Sequence, residues 1–401
     1  MKEGKTMRSK ISVLLLAAGI VCLTFINAYA EPGITKDQIL IGNISAASGH
    51  ASAVGDSIAL ATRIAVEEIN AAGGINGRKV KVVTEDDAND PGRTFQVAKK
   101  LLDVDQVFCI NSTSGSSNVL SIMRLVNQQK VPVIVTTAPN KEIYKNGAPP
   151  TVFTIGADYS SEYYAQLKYI REKLVPAGTK TAIIRPDNLL GESINAGYVK
   201  AVKDFGFNHV EDIVFKQGQR DFNAEVMKMN SAGGKVLACG GIFGQTKSIM
   251  GEARRLGMDG LIVTTMHTDS SPVTIKLVSE YNYPYFSADY IANRNDAAGL
   301  AFLEKAKKYL NEEELAKVDH FVIATYIGFR TYFHAMKECG NNLTRERLVQ
   351  KLKEIKNLEI DGLIAPINFG NPQHLSGTAV KVYQFDPAKR QFKAVTGFQK
   401  F

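Results

Sequence analysis

Three stretches of small polar residues carry the chemistry that this sequence can support: Ser45 to Ser48, Asn111 to Ser117 (NSTSGSS) and Thr136 to Asn140 (TTAPN). Hydroxyls and free backbone amides at helix starts make an anion site, because their hydrogen bonds add to the positive end of a helix dipole. A small carboxylate-bearing molecule suits them best. Any one stretch could simply cap a helix; three that follow strands at one sheet edge point to binding.

Signatures of covalent chemistry are missing. There is no Gly-x-Ser-x-Gly elbow, and no Gly-x-Gly-x-x-Gly follows a strand. Gly244-Gln245-Thr246-Lys247-Ser248 only mimics a phosphate loop, since Thr246 stands before Lys247 where a glycine would let backbone amides wrap a phosphate; it reads as a helix start. The six histidines are scattered, and no pair has the i, i+4 spacing of a zinc helix. His50 and His267 follow strands, but a solvated or core histidine is the plainer reading. The acids Glu85, Asp86, Asp87 and Asp90 lack the spacing of a calcium loop and read as a strand-end loop. No metal and no cofactor is expected.

The polar stretches need elements to position them. Short apolar runs alternate with segments of helical period, the pattern of a parallel sheet covered on both faces. Ile39 to Ile44, Lys79 to Thr84, Val107 to Ile110 and Val131 to Thr136 read as strands, with helices over Ser57 to Asn70, Phe95 to Leu102 and Val119 to Gln129. Gly73-Gly74 stops the first helix. The pattern restarts with strands at Ala182 to Ile184, Val210 to Phe215, Val236 to Cys239 and Leu261 to Thr264. Later helices fall at Ala297 to Leu310, Phe321 to Lys337 and Arg345 to Ile355, and a late strand at Ala379 to Phe385. Asn282 to Asn295, without clear period, reads as a crossing between two lobes. Two such lobes form a hinged clamp whose cleft is lined by loops at the carboxyl ends of the strands.

The N-terminus reads as an export signal. Lys2, Lys5, Arg8 and Lys10 precede an uncharged run from Ile11 to Ile26, and Ala28-Tyr29-Ala30 supplies the small residues of a cleavage site, so the mature chain is expected to start at Glu31. A membrane anchor is the weaker alternative, because the run falls short of the roughly 20 residues that span a bilayer. The leader carries four basic residues and one acid, so the net charge of +8 becomes +5 without it. No run of five like charges occurs, which makes nucleic acid a poor partner. Of the cysteines, Cys109, Cys239 and Cys339 follow the leader; such a wide, odd set is no disulfide framework, though one bridge stays open.

Four segments then become specific together: ITKDQILIGNISAASG from Ile34, AVEEINAAGGINGRKVKVVTEDDANDP from Ala65, KVPVIVTTAP from Lys130 and EARRLGMDG from Glu252. In them the chain resembles the exported ligand-binding components of branched-chain amino-acid ABC transporters, a family that also includes sensors of amides, urea and aromatic acids. The resemblance runs from about Ile34 to Phe385. It implies the type I periplasmic-binding-protein fold: α/β, two doubly wound Rossmann-like lobes joined by a three-segment hinge. The expected division is 1–30 signal peptide, 31–154 plus 284–365 first lobe, and 155–283 plus 366–401 second lobe.

The resemblance also implies site residues. In the amino-acid binders, a serine near the start of the helix after strand three and two positions after strand four hold the ligand's carboxylate and ammonium. The spacing back from Val131 puts that serine on Ser116, beside Ser117, and the pair on Ala138, through its backbone, and Asn140, commonly a threonine in the family. Ser48 lies in the first loop, here Ser48-Gly49-His50 where Ser-Gly-Pro is usual. In the second lobe Leu190-Gly191 replaces an aromatic before glycine, the next aromatic position falls near Ile242 or Phe243, and Asp269 is nearest to the carboxylate that would meet an ammonium. These departures argue against a branched-chain amino acid as ligand, while Leu190, Ile242 and Phe243 would give the pocket an apolar end.

The expectation is a periplasmic, monomeric, non-enzymatic binder of a small carboxylate-bearing ligand, an amino acid or related metabolite, that serves an inner-membrane ABC permease. A sensor feeding an extracytoplasmic signalling protein is the alternative, and an exported hydrolase a weaker one.

Overall fold

The first strand shows how this chain builds its sheets. β1 (Gln38–Ser45) buries Ile39, Ile41 and Ile44 completely, and strands run parallel to it on both sides. With helices on its two faces, it is apolar along most of its length. The computed structural model describes residues 31–401 except 112–114, 137–138, 148, 217, 242, 259, 267–271 and 282. The leader read in residues 1–30 lies outside the described residues.

The first sheet has the order β2 (Lys79–Asp86), β1, β3 (Cys109–Asn111), β4 (Val133–Val135), β5 (Val152–Thr154), all parallel. Helices α1 (Ser52–Ala71), α2 (Pro91–Asp103) and α3 (Ser116–Gln128) make its crossovers. α1 starts five residues earlier than its apolar period predicts and buries Ile58, Ala61, Ile64, Ala65 and Ile69. It ends at Gly73 and Gly74, both with positive φ; a Cβ on Gly74 would come within 2.1 Å of the Arg78 carbonyl oxygen, so the turn into β2 admits only glycine there.

The second sheet has β7 (Asn208–Phe215), β6 (Lys180–Pro186), β8 (Val236–Cys239), β9 (Ile262–Met266) and β10 (Tyr285–Asp289) in parallel, then β11 (Lys381–Asp386) and β12 (Gln391–Ala394) antiparallel at one edge. α4 (Tyr159–Lys173), α5 (Leu189–Phe205), α6 (Asn223–Ala232), α7 (Phe243–Arg255) and α8 (Pro272–Tyr281) connect its strands. The chain then returns to the first sheet through α9 (Ala297–Ala306), α10 (Glu312–Ala316), α11 (His320–Glu338) and α12 (Arg345–Glu354). Tyr332 of α11 donates to the Ile110 carbonyl at 2.8 Å, and Arg345 of α12 donates to the carbonyls of Val107 and Phe108 at 2.7 and 3.0 Å. Sequence-distant helices thus hold β3 from behind. Two parallel-sheet lobes on this plan are the type I periplasmic-binding-protein fold.

Strands β5, β10 and β12 are absent from the sequence-based reading. β10 corrects it most: the segment from 282 to 295 contains a strand whose five residues are all buried and which pairs in parallel with β9, so Tyr285–Asp289 belongs with the second sheet rather than with 284–365. Its polar residues hide it in the sequence. Asp289 is satisfied by His320 at 2.9 Å, Tyr290 donates to the Thr136 carbonyl at 2.5 Å, and the Tyr290 hydroxyl lies 3.2 Å from His320 Nε2. The return passage is Tyr290 to Asn295. Beside it run the passage after β5 and the passage before β11, joined by Gly156 N–H to Ser376 Oγ at 2.8 Å and Ala292 N–H to the Leu363 carbonyl at 2.7 Å.

Cys109, Cys239 and Cys339 are buried free thiols, so the bridge left open by the sequence does not form. Among the described residues no helix is long and apolar enough to cross a membrane.

Candidate ligand-binding cleft

At the carboxyl edge of the first sheet, a buried polar network sets the start of α3. Asp87, fully buried, accepts from Thr94 Oγ1 at 2.8 Å and from Asn118 Nδ2 at 2.9 Å, and the Asn89 amide donates back to Asp87 at 2.9 Å. Gly115, with φ of 77°, precedes the helix; a Cβ there would approach Asn118 Oδ1 to 2.7 Å and Asn89 Oδ1 to 2.8 Å. The packing therefore presses the chain onto a glycine and presents the first turn of α3 outward. Ser116 is only 8% exposed, yet it lines a cleft and its hydroxyl makes no hydrogen bond among the described residues. A buried hydroxyl left without a protein partner is costly unless a ligand or water meets it.

The opposite wall comes from the second sheet. After β6, Asn188 caps α5 by accepting from the Gly191 amide at 3.2 Å, which turns Leu190 toward the cleft. Gly191 is forced by space, since a Cβ would sit 1.9 Å from the Pro186 carbonyl oxygen. After β7, Gly218 takes φ of 87° and the loop brings Gln219 and Arg220 to the wall; Gln219 is held by the Asp221 carbonyl at 2.8 Å and the Glu225 carboxylate at 2.7 Å. After β8, the first turns of α7 contribute Gly244, Gln245 and Ser248, and Tyr159 adds an aromatic wall from the start of α4. Burial pushes the Tyr159 phenol up, so it stays a neutral hydroxyl. Together these walls enclose about 540 Å³ between the two sheets. That is ample for a small metabolite.

Of the residues expected from the sequence, Ser116, Ser117 and Leu190 line this one cleft. Ser48 is turned elsewhere: its hydroxyl donates to Asp86 at 2.6 Å and its amide to the same carboxylate at 3.2 Å. Asn140 is buried and spent on protein contacts, accepting from the Glu142 amide at 2.9 Å and donating to the Leu189 carbonyl at 3.3 Å. Ala138, Ile242, Asp269 and His267 lie outside the described residues, as does the side chain of Phe243, whose backbone opens α7. The far wall, expected to be apolar, carries Gln219, Arg220, Gln245 and Ser248 beside Leu190.

These four polar residues, with Asn89 and Tyr159, escape the sequence reading. The signal was present for Gln219 and Arg220, which follow a strand and a glycine as cleft loops do. The false phosphate loop from Gly244 to Ser248 is the start of α7, and it faces the cleft. The acidic stretch is a strand-end loop whose carboxylates diverge: Glu85 to Lys100, Asp86 to Ser48 and Arg93, Asp87 to Thr94 and Asn118, and Asp90 to the start of α2.

Residues 38–391 match the periplasmic binding protein family. The leucine-, isoleucine-, valine-, threonine- and alanine-binding protein of Pseudomonas aeruginosa is 26% identical over 274 residues, 68% of this chain and 70% of its own length. Among solved structures, a branched-chain amino-acid ABC transporter protein from Thermus thermophilus with bound valine superposes with a TM-score of 0.81 at 17% identity, covering 92% of this chain and 98% of that one. The fatty-acid ABC transporter substrate-binding protein from Thermomonospora curvata superposes with a TM-score of 0.78 at 21% identity, covering 92% and 94%. At these identities the structural likeness speaks for the fold.

Proposed function

Since this chain belongs to the periplasmic binding protein family, we propose that it is an extracytoplasmic solute-binding protein that captures a small carboxylate-bearing ligand between its lobes and delivers it to an ABC-type permease. The observation that supports this best is the shared cleft: Ser116 and Ser117 from one sheet face Leu190 and Arg220 from the other across about 540 Å³. A ligand there touches both lobes only when they are closed. Binding therefore draws the population toward the closed form, by as much as the ligand prefers it.

The carboxylate rests on the start of α3. Its amides of Ser116 and Ser117, the Ser116 hydroxyl and the helix dipole supply donors to an anion without any cationic side chain. The relatives fit this chemistry: one is named for fatty acids and another holds valine, and a carboxylate is the group those two share. We read 31–154 with α9 to α12 as one moving body and 155–289 with β11 and β12 as the other, export through a cleaved leader ending at Ala30, and a monomer in the periplasm.

A thermal-shift screen of amino acids, amides, aliphatic acids and aromatic acids tests the reading, because a ligand that binds only the folded chain raises its melting temperature by mass action. A carboxylate that raises it and is recovered unaltered supports a binder. Conversion of the bound compound to product would overturn the binding role in favour of a hydrolase.

A further inference from the structure

Arg220 is the one charged side chain among the described residues that line the cleft, and it makes no ion pair or hydrogen bond among them. Its loop neighbours do not share that freedom: Gln219 is tied to Asp221 and Glu225, and the Asp221 carboxylate accepts from the Asn223 amide at 3.0 Å. The loop is thus built to hold its shape while leaving the guanidinium available. Nothing acidic stands opposite among the described lining residues.

The surrounding backbone has the same sign. The first turns of α3, α5 and α7 all contribute to the lining, so three positive dipole ends face the cleft, that of α3 from the wall opposite Arg220 and those of α5 and α7 from its own side. One monocarboxylate can satisfy the α3 end. It would leave the second-lobe end, with a guanidinium and two helix starts, facing an aliphatic tail. A guanidinium is a planar, permanently charged donor fork matched to a second carboxylate.

We infer that Arg220 is a specificity-determining residue that selects ligands carrying a second anionic group, so that the cleft prefers dicarboxylates over monocarboxylates and aliphatic amino acids. This rests on the reading of the cleft as a carboxylate site. One anionic end of the ligand lies at Ser116 and Ser117, and the other meets Arg220 when the lobes close. Because Arg220 is exposed and unpaired among the described residues, replacing it should leave folding intact.

The test is calorimetric titration of the full mature chain and of Arg220→Gln with straight-chain dicarboxylates of four to eight carbons, with or without an α-amino group, and with the matched monoacids and leucine. The wild type should bind at least one diacid about tenfold or more tighter than its matched monoacid. Arg220→Gln should erase that preference by weakening diacid binding far more than monoacid binding, while Arg220→Lys keeps part of it. Equal binding of monoacids or leucine, or a diacid preference that survives Arg220→Gln, would overturn the role of Arg220 and leave the carboxylate site standing. Failure of every acid to bind would overturn both.

Discussion

Asn140 and Leu189 are joined across the two lobes: the Asn140 Nδ2 donates to the Leu189 carbonyl at 3.3 Å, between residues 49 apart in sequence. The same asparagine holds the loop after β4 by accepting from the Glu142 amide at 2.9 Å. Next to it, Lys141 reaches Ser160 Oγ at 2.6 Å and lies 3.5 Å from Asp158, at the start of α4. The loop that follows β4 is therefore a latch between lobes, beside the cleft.

Asn140→Ala removes the latch and the cap together. The lost hydrogen bond is worth about 0.5–1.5 kcal/mol, and it is present only when Asn140 and Leu189 are together. Ligand affinity should fall roughly 2- to 10-fold, and small-angle scattering of the unliganded protein should shift to a larger radius. Unchanged affinity together with an unchanged scattering profile would show that the bond does not govern closure.

Ser116→Ala should behave differently, because its hydroxyl has no partner to lose among the described residues. Stability to urea should stay within about 0.5 kcal/mol of wild type. Affinity for a carboxylate should drop by about 1.5–3 kcal/mol, roughly 10- to 150-fold. A mutant that binds as tightly as the wild type would move the carboxylate away from α3.

Ser48 sits outside the cleft, and its effect is on pH dependence. The Ser48 hydroxyl, more than the Ala88 amide, the Ser48 amide or Arg93, holds the Asp86 carboxyl below its ordinary value against partial desolvation. A carboxylate depressed in the folded state stabilises it above the unfolded pKa of about 3.9, and that contribution disappears as the pH falls through the folded value. Ser48→Ala should therefore be less stable than wild type at pH 7 and should converge with it in denaturant titrations at a pH below the folded value of Asp86. A gap of the same size at both pH values would mean that the bond to Asp86 is not its source.

What the sequence revealed divides along the range of the interactions. Ser116 and Ser117 were legible because they stand at a helix start after a strand, a placement set by local pattern, and Leu190 through the family resemblance. Asn140 donates to Leu189 in the other lobe, and no spacing in the sequence announces such a bond. Ser48 likewise read as cleft-facing until Asp86 was seen to claim it. β10 was hidden because Ser287 and Asp289 interrupt its apolar run, and partners of Asp289 include His320, 31 residues on. An exposed arginine such as Arg220 looks like ordinary surface in a sequence until the fold places it on the wall of the cleft.

Gly156 supplies the last prediction, at the first passage between the lobes. It has φ of 99°, and a Cβ would lie 2.3 Å from Tyr290 Cδ2, inside the ring that donates to the Thr136 carbonyl. Gly156→Ala meets two separate penalties, strained backbone at about 1–3 kcal/mol and overpacking at a further 1–3 kcal/mol. The substitution should destabilise the protein by about 2–6 kcal/mol. It should also disturb binding, because displacing Tyr290 releases the end of β4 from which the latch at Asn140 departs. The two penalties separate in a double-mutant cycle with Tyr290→Ala, which relieves the collision but not the backbone strain. Coupling of about 1–3 kcal/mol between the substitutions, measured by urea unfolding, is the expected result. Strict additivity would show that Tyr290 can move aside freely, and that Gly156 is required for its backbone conformation alone.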